Sequence, residues 1–465
     1  MSPRVRRRDP AARPGKPHLR LLHDAPELEG RAQADRLLGK IADRSARIGV
    51  VGLGYVGLPF AVESAKAGFR VLGIDQNLER AKKVNCGENY ITDVQDDELA
   101  DMVKQGRLEA VSDFSDVPKL DALILAIPTP LTRNLQPDLS CVVDATRELA
   151  GQLRPGQFIC LESTTFPGTT RDVMLPILEE NGLRAERDFF LAHSPERVDP
   201  GNPRFNTRNT TKIVGGVGPL SQEIAVAVYA QTIEKVVAVS SAETAELVKV
   251  FENTFRAVNI ALVNELTLLC DRMDMSVWEV LDAAFTKPFG IMPFYPGPGV
   301  GGHCIPLDPH YLEWKAREYN FNTRFISLAG EINRRMPEFV REKARRILNE
   351  RGIALSRARI LALGVAYKKN VGDCRESPAL EVLRLLREEG ADVVYHDPHV
   401  PFIDELDLES KPLSEELLRD ASLTMIVTDH AGVDYAWVAQ HAAHVLDTRN
   451  ATRGLAVAPG KVTLL

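Results

Sequence analysis

From Arg47 onward, short apolar runs recur between longer amphipathic stretches. RIGVVGL, RVLGID, DALILAIP, FICLEST, DFFLAHSPE, TKIVGG and KVVAVS are apolar at successive positions rather than alternately. Strands of that kind are buried on both faces, as in a parallel sheet covered by helices. The rhythm changes after residue 240. Ala242 to Met273 contains no Gly or Pro, and its apolar residues recur at spacings of three and four, which predicts one long helix. Thirty helical residues span about 45 Å, enough to join two domains or form a dimer spine. A Gly/Pro-rich loop, PFGIMPFYPGPGVGG, follows, then helical patterning to about residue 352. From Arg359 the strand-like runs return (RILALGV, DVVYHD, LTMIVTD, HVLDT), with helices such as SPALEVLRLLREEG between them. There Ser377 is placed to cap and Pro378 to fill the first turn.

The predicted plan is α/β: two Rossmann-like doubly wound domains joined by a long central helix and a helical middle domain. Its segments are a basic, disordered arm and short helix (1–45), a dinucleotide-binding domain (46–240), a helical domain carrying a Gly-rich loop (241–352) and a second Rossmann-like domain (353–465).

Composition narrows this little. Hydrophobic residues at 44% and charged residues at 26% suit a soluble globular chain. The net charge of -7 gives no case for nucleic acid as a partner. Residues 1–20 alone contribute +6, leaving -13 on the rest. This arm has no apolar core of a signal peptide, and no run of eighteen apolar residues occurs, so no membrane insertion is expected. Six cysteines without C-x-x-C spacing read as free thiols in a reducing cytoplasm, with no disulfide or metal framework.

Gly52-Leu53-Gly54-Tyr55-Val56-Gly57 follows the first apolar run and opens a helical stretch, and Asp75 ends the second run. Alone, three spaced glycines are a turn. With a strand before, a helix after and an acid at this distance, they form a dinucleotide site whose amides approach a pyrophosphate. Asp75 would bind ribose hydroxyls and repel a 2′-phosphate. No arginine follows it directly (the next is Arg80), so NAD is expected rather than NADP.

In order along the chain stand GLGYVGLPFA, Pro128-Thr129-Pro130, ESTTFPGTT, SPER, ELVKVFENTFRAVNIALVNE and GGHCIPLD. This series resembles the UDP-glucose/GDP-mannose dehydrogenase family from about residue 46 to the C-terminus. PFYPGPGVGGHCIPLDPHYLEWKA and GVAYKKN…RESPALE look most like its UDP-N-acetylglucosamine 6-dehydrogenase branch. The resemblance implies an NAD-dependent, four-electron oxidation of a UDP-sugar at C6, serving surface polysaccharide synthesis in the cytoplasm, by a homodimer or higher homo-oligomer.

Such chemistry gives Cys304 a task. Two hydrides must leave one carbon, and a thiolate that captures the intermediate aldehyde keeps it bound between steps; water then hydrolyses the thioester. Positive charge and a nearby helix N-terminus would favour that thiolate. Asp308 would orient the water or act as base. Lys249 and Asn253, four apart on the long helix and so on one face, match residues that hold the reacting oxygen and its water. The resemblance also places Glu196 and Thr129 at the catalytic centre. It sets Pro128, Glu162, Thr164 and Arg375 beside the cofactor, and Arg197 and Lys368 by the sugar nucleotide. Phe294 through Gly301, including Pro296 and Gly297, would cover sugar and uridine, with Asn209 and Lys212 on a facing loop. His303, where UDP-glucose-specific members often have serine, either shapes the loop or serves as a base. Four other readings stand beside this one: a UDP-glucose enzyme, a UDP-N-acetylmannosamine enzyme, a two-electron β-hydroxyacid dehydrogenase that leaves Cys304 idle, and a non-catalytic NAD-binding regulatory protein.

Overall fold

The structure is a computed structural model that describes residues 25–91, 93–132, 134, 136–199, 202, 204–302 and 304–465, with side chains from residue 28. The basic arm and His303 lie outside the described residues. A helix over Ala25–Ala42 precedes the first strand.

Eight strands form the first sheet: β1 (Arg47–Val51), β2 (Arg70–Ile74), β3 (Leu108–Val111), β4 (Ala122–Leu125), β5 (Phe158–Leu161), β6 (Phe190–His193), β7 (Lys212–Gly216) and β8 (Val236–Ala238). Their order is β3-β2-β1-β4-β5-β6-β7-β8, parallel throughout except between β6 and β7. The antiparallel pair departs from the all-parallel expectation. Chain order reverses between β1 and β4, and ligands of open α/β sheets bind at such a switch point. Apolar side chains on both faces, such as Val50, Phe60 and Phe69 on one and Leu123, Leu125 and Leu149 on the other, explain the unbroken apolar runs.

The long helix spans Ala242–Arg272, within one residue of its predicted end, and Ser241 caps it by accepting the Thr244 N–H. Helices Asp308–Glu318 and Arg324–Glu350 pack on it. The second sheet, all parallel, orders its strands as 392–396, 359–363, 423–426, 445–447 and 462–464. Ser377 caps helix Pro378–Glu388 as its sequence suggests. The pattern reading misses a two-residue antiparallel pair, Phe402–Ile403 with Leu408–Glu409, and two strands of the main sheets, Leu108–Val111 and Val462–Leu464. The latter two are short and lie at sheet edges, where one flank is solvent and no continuous apolar run is needed. Among the described residues no helix is long and apolar enough to cross a membrane.

Candidate active site

The glycine loop closes β1 with Gly52 at φ +88°, a left-handed conformation in which an added Cβ would sit 2.3 Å from the Ala126 carbonyl oxygen. At Gly57 a Cβ would strike the Gly52 carbonyl at 1.8 Å, so the helix can start this close to the strand only with glycine. Gly54 faces open space, which leaves its backbone accessible to a pyrophosphate at the N-terminus of helix Gly57–Lys66. Tyr55 is exposed and Val56 half-buried beside it. Asp75 directly follows β2, accepting the Leu53 and Asn77 N–H groups at 2.8 and 2.9 Å. Arg80, though five residues on, comes back to 3.5 Å from Asp75, an ion pair that adjacency in sequence conceals.

Thr129, on the loop after β4, donates through Oγ1 to the Thr164 carbonyl at 2.7 Å. Its own carbonyl accepts the Tyr311 hydroxyl. Pro128 is exposed beside it. The dinucleotide side and the thiol side of the site are thereby tied together.

Cys304 stands one turn before helix Asp308–Glu318, its carbonyl accepting the Asp308 N–H at 2.8 Å. The thiol opens to solvent on one side and is hemmed in by protein on the others. Asp308, 3% exposed, accepts a hydrogen bond from Asn253 of the long helix. Burial pushes its carboxyl up to about 6, against the pull of Lys249 and the Asn253 hydrogen bond. Burial and Asp308 together raise the Cys304 thiol, while Lys249 and Arg256 draw it down less strongly. The resting thiol is therefore protonated, contrary to the thiolate that nearby positive charge would suggest. Its desolvation outweighs the cations, so a nucleophilic role would require an adjacent base to take the proton. Asp308 titrates low enough to be ionised at neutral pH and high enough to accept one.

The long helix holds this arrangement from one face. Glu246, Lys249, Asn253 and Asn264 follow at offsets of three, seven and eighteen residues, the last five full turns on. Asn253 grips the end of the catalytic loop at Asp308, and Asn264 accepts the Gly297 N–H at its start while donating to Asn333. Glu246, 1% exposed, accepts the Gly168 and Thr170 N–H groups and the Thr170 hydroxyl, fixing the segment after Thr164. Burial lifts its carboxyl to about 7 despite those bonds. Folded protein therefore binds more protons than unfolded chain between about pH 4.5 and 7, and stability falls as pH rises through that window. Glu246→Gln is expected to flatten this decline, read as a smaller difference in Tm between pH 5 and pH 8.

The glycines before Cys304 serve the second sheet's domain as much as any ligand. At Gly301 a Cβ would meet the Glu376 carbonyl and Tyr367 within 2.9 Å, and Gly302 (φ +88°) lies under the Tyr367 ring. Gly297 similarly abuts Arg449, Pro296 is buried, and Phe294 packs edge-on to Phe255. Across the cleft Lys368 pairs with Asp199 at 2.7 Å. Arg375 pairs with Asp373 and lies within electrostatic reach of Tyr55 on the glycine loop.

Four predicted positions are already engaged by protein partners. Glu162 is 1% exposed and bonded to Lys212 and Tyr229 inside the first domain. Lys212, expected on a loop facing the sugar, opens β7 instead, is 3% exposed and lies inward between Glu162 and Glu196. Arg197 is held by Glu252 and the Thr211 carbonyl, and Asn209 bonds within its own loop.

Two α/β domains, the first with a dinucleotide loop, flank a helical middle that carries Cys304, Lys249 and Asp308, the layout of a nucleotide-dependent dehydrogenase. The chain matches the UDP-glucose/GDP-mannose dehydrogenase family in its NAD-binding domain over residues 46–233, its central domain over 243–335 and its UDP-binding domain over 361–454, and it belongs to that family. It is an NAD-dependent UDP-sugar dehydrogenase. It is 36% identical over 410 residues to a UDP-N-acetyl-D-mannosamine dehydrogenase of Pyrococcus horikoshii, covering 87% of this chain and 95% of that one. It is 35% identical to a UDP-N-acetyl-D-glucosamine 6-dehydrogenase of Pseudomonas aeruginosa, covering 77% and 84%. The solved structure of the UDP-D-ManNAc dehydrogenase from Pyrococcus horikoshii superposes with a TM-score of 0.83, over 90% of this chain and 98% of that one, at 34% identity.

Proposed function

We propose that the protein oxidises the C6 hydroxymethyl group of UDP-N-acetylglucosamine to the carboxylate through a covalent bond to Cys304, supplying a uronic acid for surface polysaccharide in the cytoplasm. One observation carries the reading: the pair Cys304 and Asp308 and the pair Lys249 and Asn253, far from each other in sequence, converge where the two α/β domains meet the long helix. Residues 46–240 hold NAD, 241–352 the thiol and its partners, and 353–465 the UDP moiety. NAD accepts two electrons at each oxidation. Lys249 and Asn253 hold the reacting oxygen and stabilise the charge it gains. Asp308 receives the Cys304 proton as sulfur bonds to the aldehyde carbon, releases it to solvent before hydrolysis, then takes a proton from the attacking water and passes it to the departing sulfur, which restores the thiol as the acid leaves. Lys368 leaves Asp199 to meet the diphosphate, and Arg375 closes on the cofactor beside Tyr55.

UDP-N-acetylmannosamine is a second reading, favoured by the Pyrococcus relative. Both relatives act on N-acetylated sugars by name, which sets UDP-glucose behind them. The test offers the three UDP-sugars separately and compares kcat/KM by NADH formation. UDP-N-acetylglucosamine is expected to lead; a lead for its C2 epimer moves the substrate to the second reading.

The working unit is a homodimer. Leu247, Phe251, Phe255, Leu262 and Leu269 lie along one stripe of the long helix, each at least 41% exposed in the single chain. A second copy of the same stripe fits it by two-fold symmetry. Phe251→Asp is expected to convert a dimer into monomers in sedimentation velocity. A wild type that sediments as a monomer contradicts the assignment.

A further inference from the structure

The second α/β domain buries a carboxylate and an imidazole, Asp397 and His430, to which the chemistry above gives no role. Both α/β domains open with the same turn. Gly52 after β1 and Gly364 after strand 359–363 are left-handed, at φ +88° and +77°. A Cβ on either would strike a carbonyl oxygen of the chain leaving the neighbouring strand, at 2.3 and 2.2 Å. Each turn then donates an N–H to the acid that follows the domain's second strand, Leu53 to Asp75 at 2.8 Å and Val365 to Asp397 at 2.7 Å. Each acid also accepts the N–H two residues on, from Asn77 and from His399. The domains differ in what else meets the acid. Asp75 is left to Arg80 at 3.5 Å and, by the reading above, to a ribose. Asp397 accepts the Ala366 N–H at 3.1 Å and has His430 Nε2 at 3.0 Å, both side chains being fully buried.

The other ring nitrogen fixes the tautomer. His430 Nδ1 lies 2.9 Å from the Asn370 amide nitrogen. That N–H needs an acceptor, so Nδ1 carries no proton and Nε2–H donates to Asp397. Burial opposes charge on Asp397, yet the His430 hydrogen bond and the Val365 and His399 amides hold its carboxyl below the ordinary range. Asn370, itself left-handed at φ +60°, accepts the Ala431 N–H through Oδ1 at 2.9 Å. Between the anchored points at Ala366 and Asn370 the chain carries Tyr367 and Lys368. The Tyr367 ring covers Gly302, two residues before Cys304, where a Cβ would come within 3.0 Å of it, and its hydroxyl is in electrostatic reach of the thiol. Lys368 crosses the cleft to Asp199 at 2.7 Å.

We propose that His430 is a positioning residue: it takes the face of Asp397 that the first domain keeps for a ribose, and through Nδ1 it pins Asn370, fixing Tyr367 and Lys368 over the catalytic loop. This rests on the reading of Lys368 as a ligand of the UDP diphosphate. The buried acid of a nucleotide-type turn thereby becomes the anchor of a loop that serves a site in the neighbouring domain.

Substitution separates the two ring nitrogens. Asparagine at this position sets Oδ1 where Nδ1 stands and keeps the acceptor for Asn370. Glutamine sets Nε2 where the imidazole Nε2 stands, keeps the donor to Asp397 and leaves the Asn370 amide unpaired. A merely structural histidine would be replaced better by glutamine, which satisfies the buried carboxylate. The proposal gives the reverse order. His430→Gln is expected to raise KM for the UDP-sugar, and the Kd of UDP measured by calorimetry, about tenfold, while His430→Asn stays within about threefold, whatever the order of their Tm values. Equal effects, or glutamine as the milder change, overturn the proposal. Amide hydrogen exchange of the wild type, resolved to single residues, requires no variant to fold. The Asn370 N–H should exchange about tenfold or more slowly than that of exposed Lys369. An Asn370 amide that exchanges as fast as its neighbour also overturns the pin. Lys368→Ala that binds UDP as tightly as wild type would sink the reading of Lys368, and with it the purpose of the anchor, while the exchange measurement still decides the anchor itself.

Discussion

Replacing Cys304 by alanine is expected to lower uronic acid formation by about a thousandfold or more while leaving the binding of NAD and UDP-sugar within a few-fold, because only covalent steps use the thiol. The thiol lies at the mouth of the catalytic loop, and its carbonyl, not its sulfur, makes the turn into helix Asp308–Glu318. Removing sulfur therefore leaves Asn253, Asp308 and the loop in place. The first oxidation can proceed in the variant, but the aldehyde has no anchor and water has no thioester to attack. Binding is checked by calorimetry and acid formation by chromatography. Acid produced at the wild-type rate would mean that the second oxidation runs through a hydrated aldehyde and that the cysteine is incidental.

Asp308→Asn is the second large effect, a loss of about 10²–10⁴ in kcat for removal of the proton acceptor. The pH dependence sharpens it. With its carboxyl pushed up to about 6, Asp308 ionises as pH rises through that value, so wild-type kcat/KM should climb with unit slope below about pH 6 and level off above. The variant loses this limb along with its rate. Stability moves the other way. The folded protein binds more protons than the unfolded chain between about pH 4 and 6, so a buried ionised Asp308 costs stability above that window, and asparagine relieves it. The variant should match or exceed the wild-type Tm at pH 8. A variant equally active, or one with an unaltered acid limb, would remove Asp308 from the proton path.

Much of this was legible in the residues. Apolar runs without alternation indicate a covered parallel sheet, and the stretch from Ala242 without Gly or Pro gives a long helix whose end falls within a residue. The glycine spacing and Asp75 locate a dinucleotide loop because its constraints, a left-handed turn at Gly52 and close packing at Gly57, are local. The role of Gly301 and Gly302 is not local. They admit Tyr367 of the other α/β domain, and nothing near them in sequence says so. The same applies to Lys212, which on a pattern of residues is a loop lysine and in three dimensions is a buried cation between two acids. Arg80 escaped because proximity to Asp75 requires the turn of helix Leu78–Cys86. One signal was read only in part: Glu246 and Asn264 continue the face of Lys249 and Asn253 along the long helix, and buried polar residues ask for partners.

The central claim, oxidation of one carbon twice through a bound thiol, is tested most directly by counting. NADH formed per UDP-N-acetylhexosamine consumed, measured at completion with limiting sugar nucleotide, should be two, with the uronic acid as product and no free aldehyde trapped by an added amine. One NADH per sugar, with aldehyde released, would contradict it.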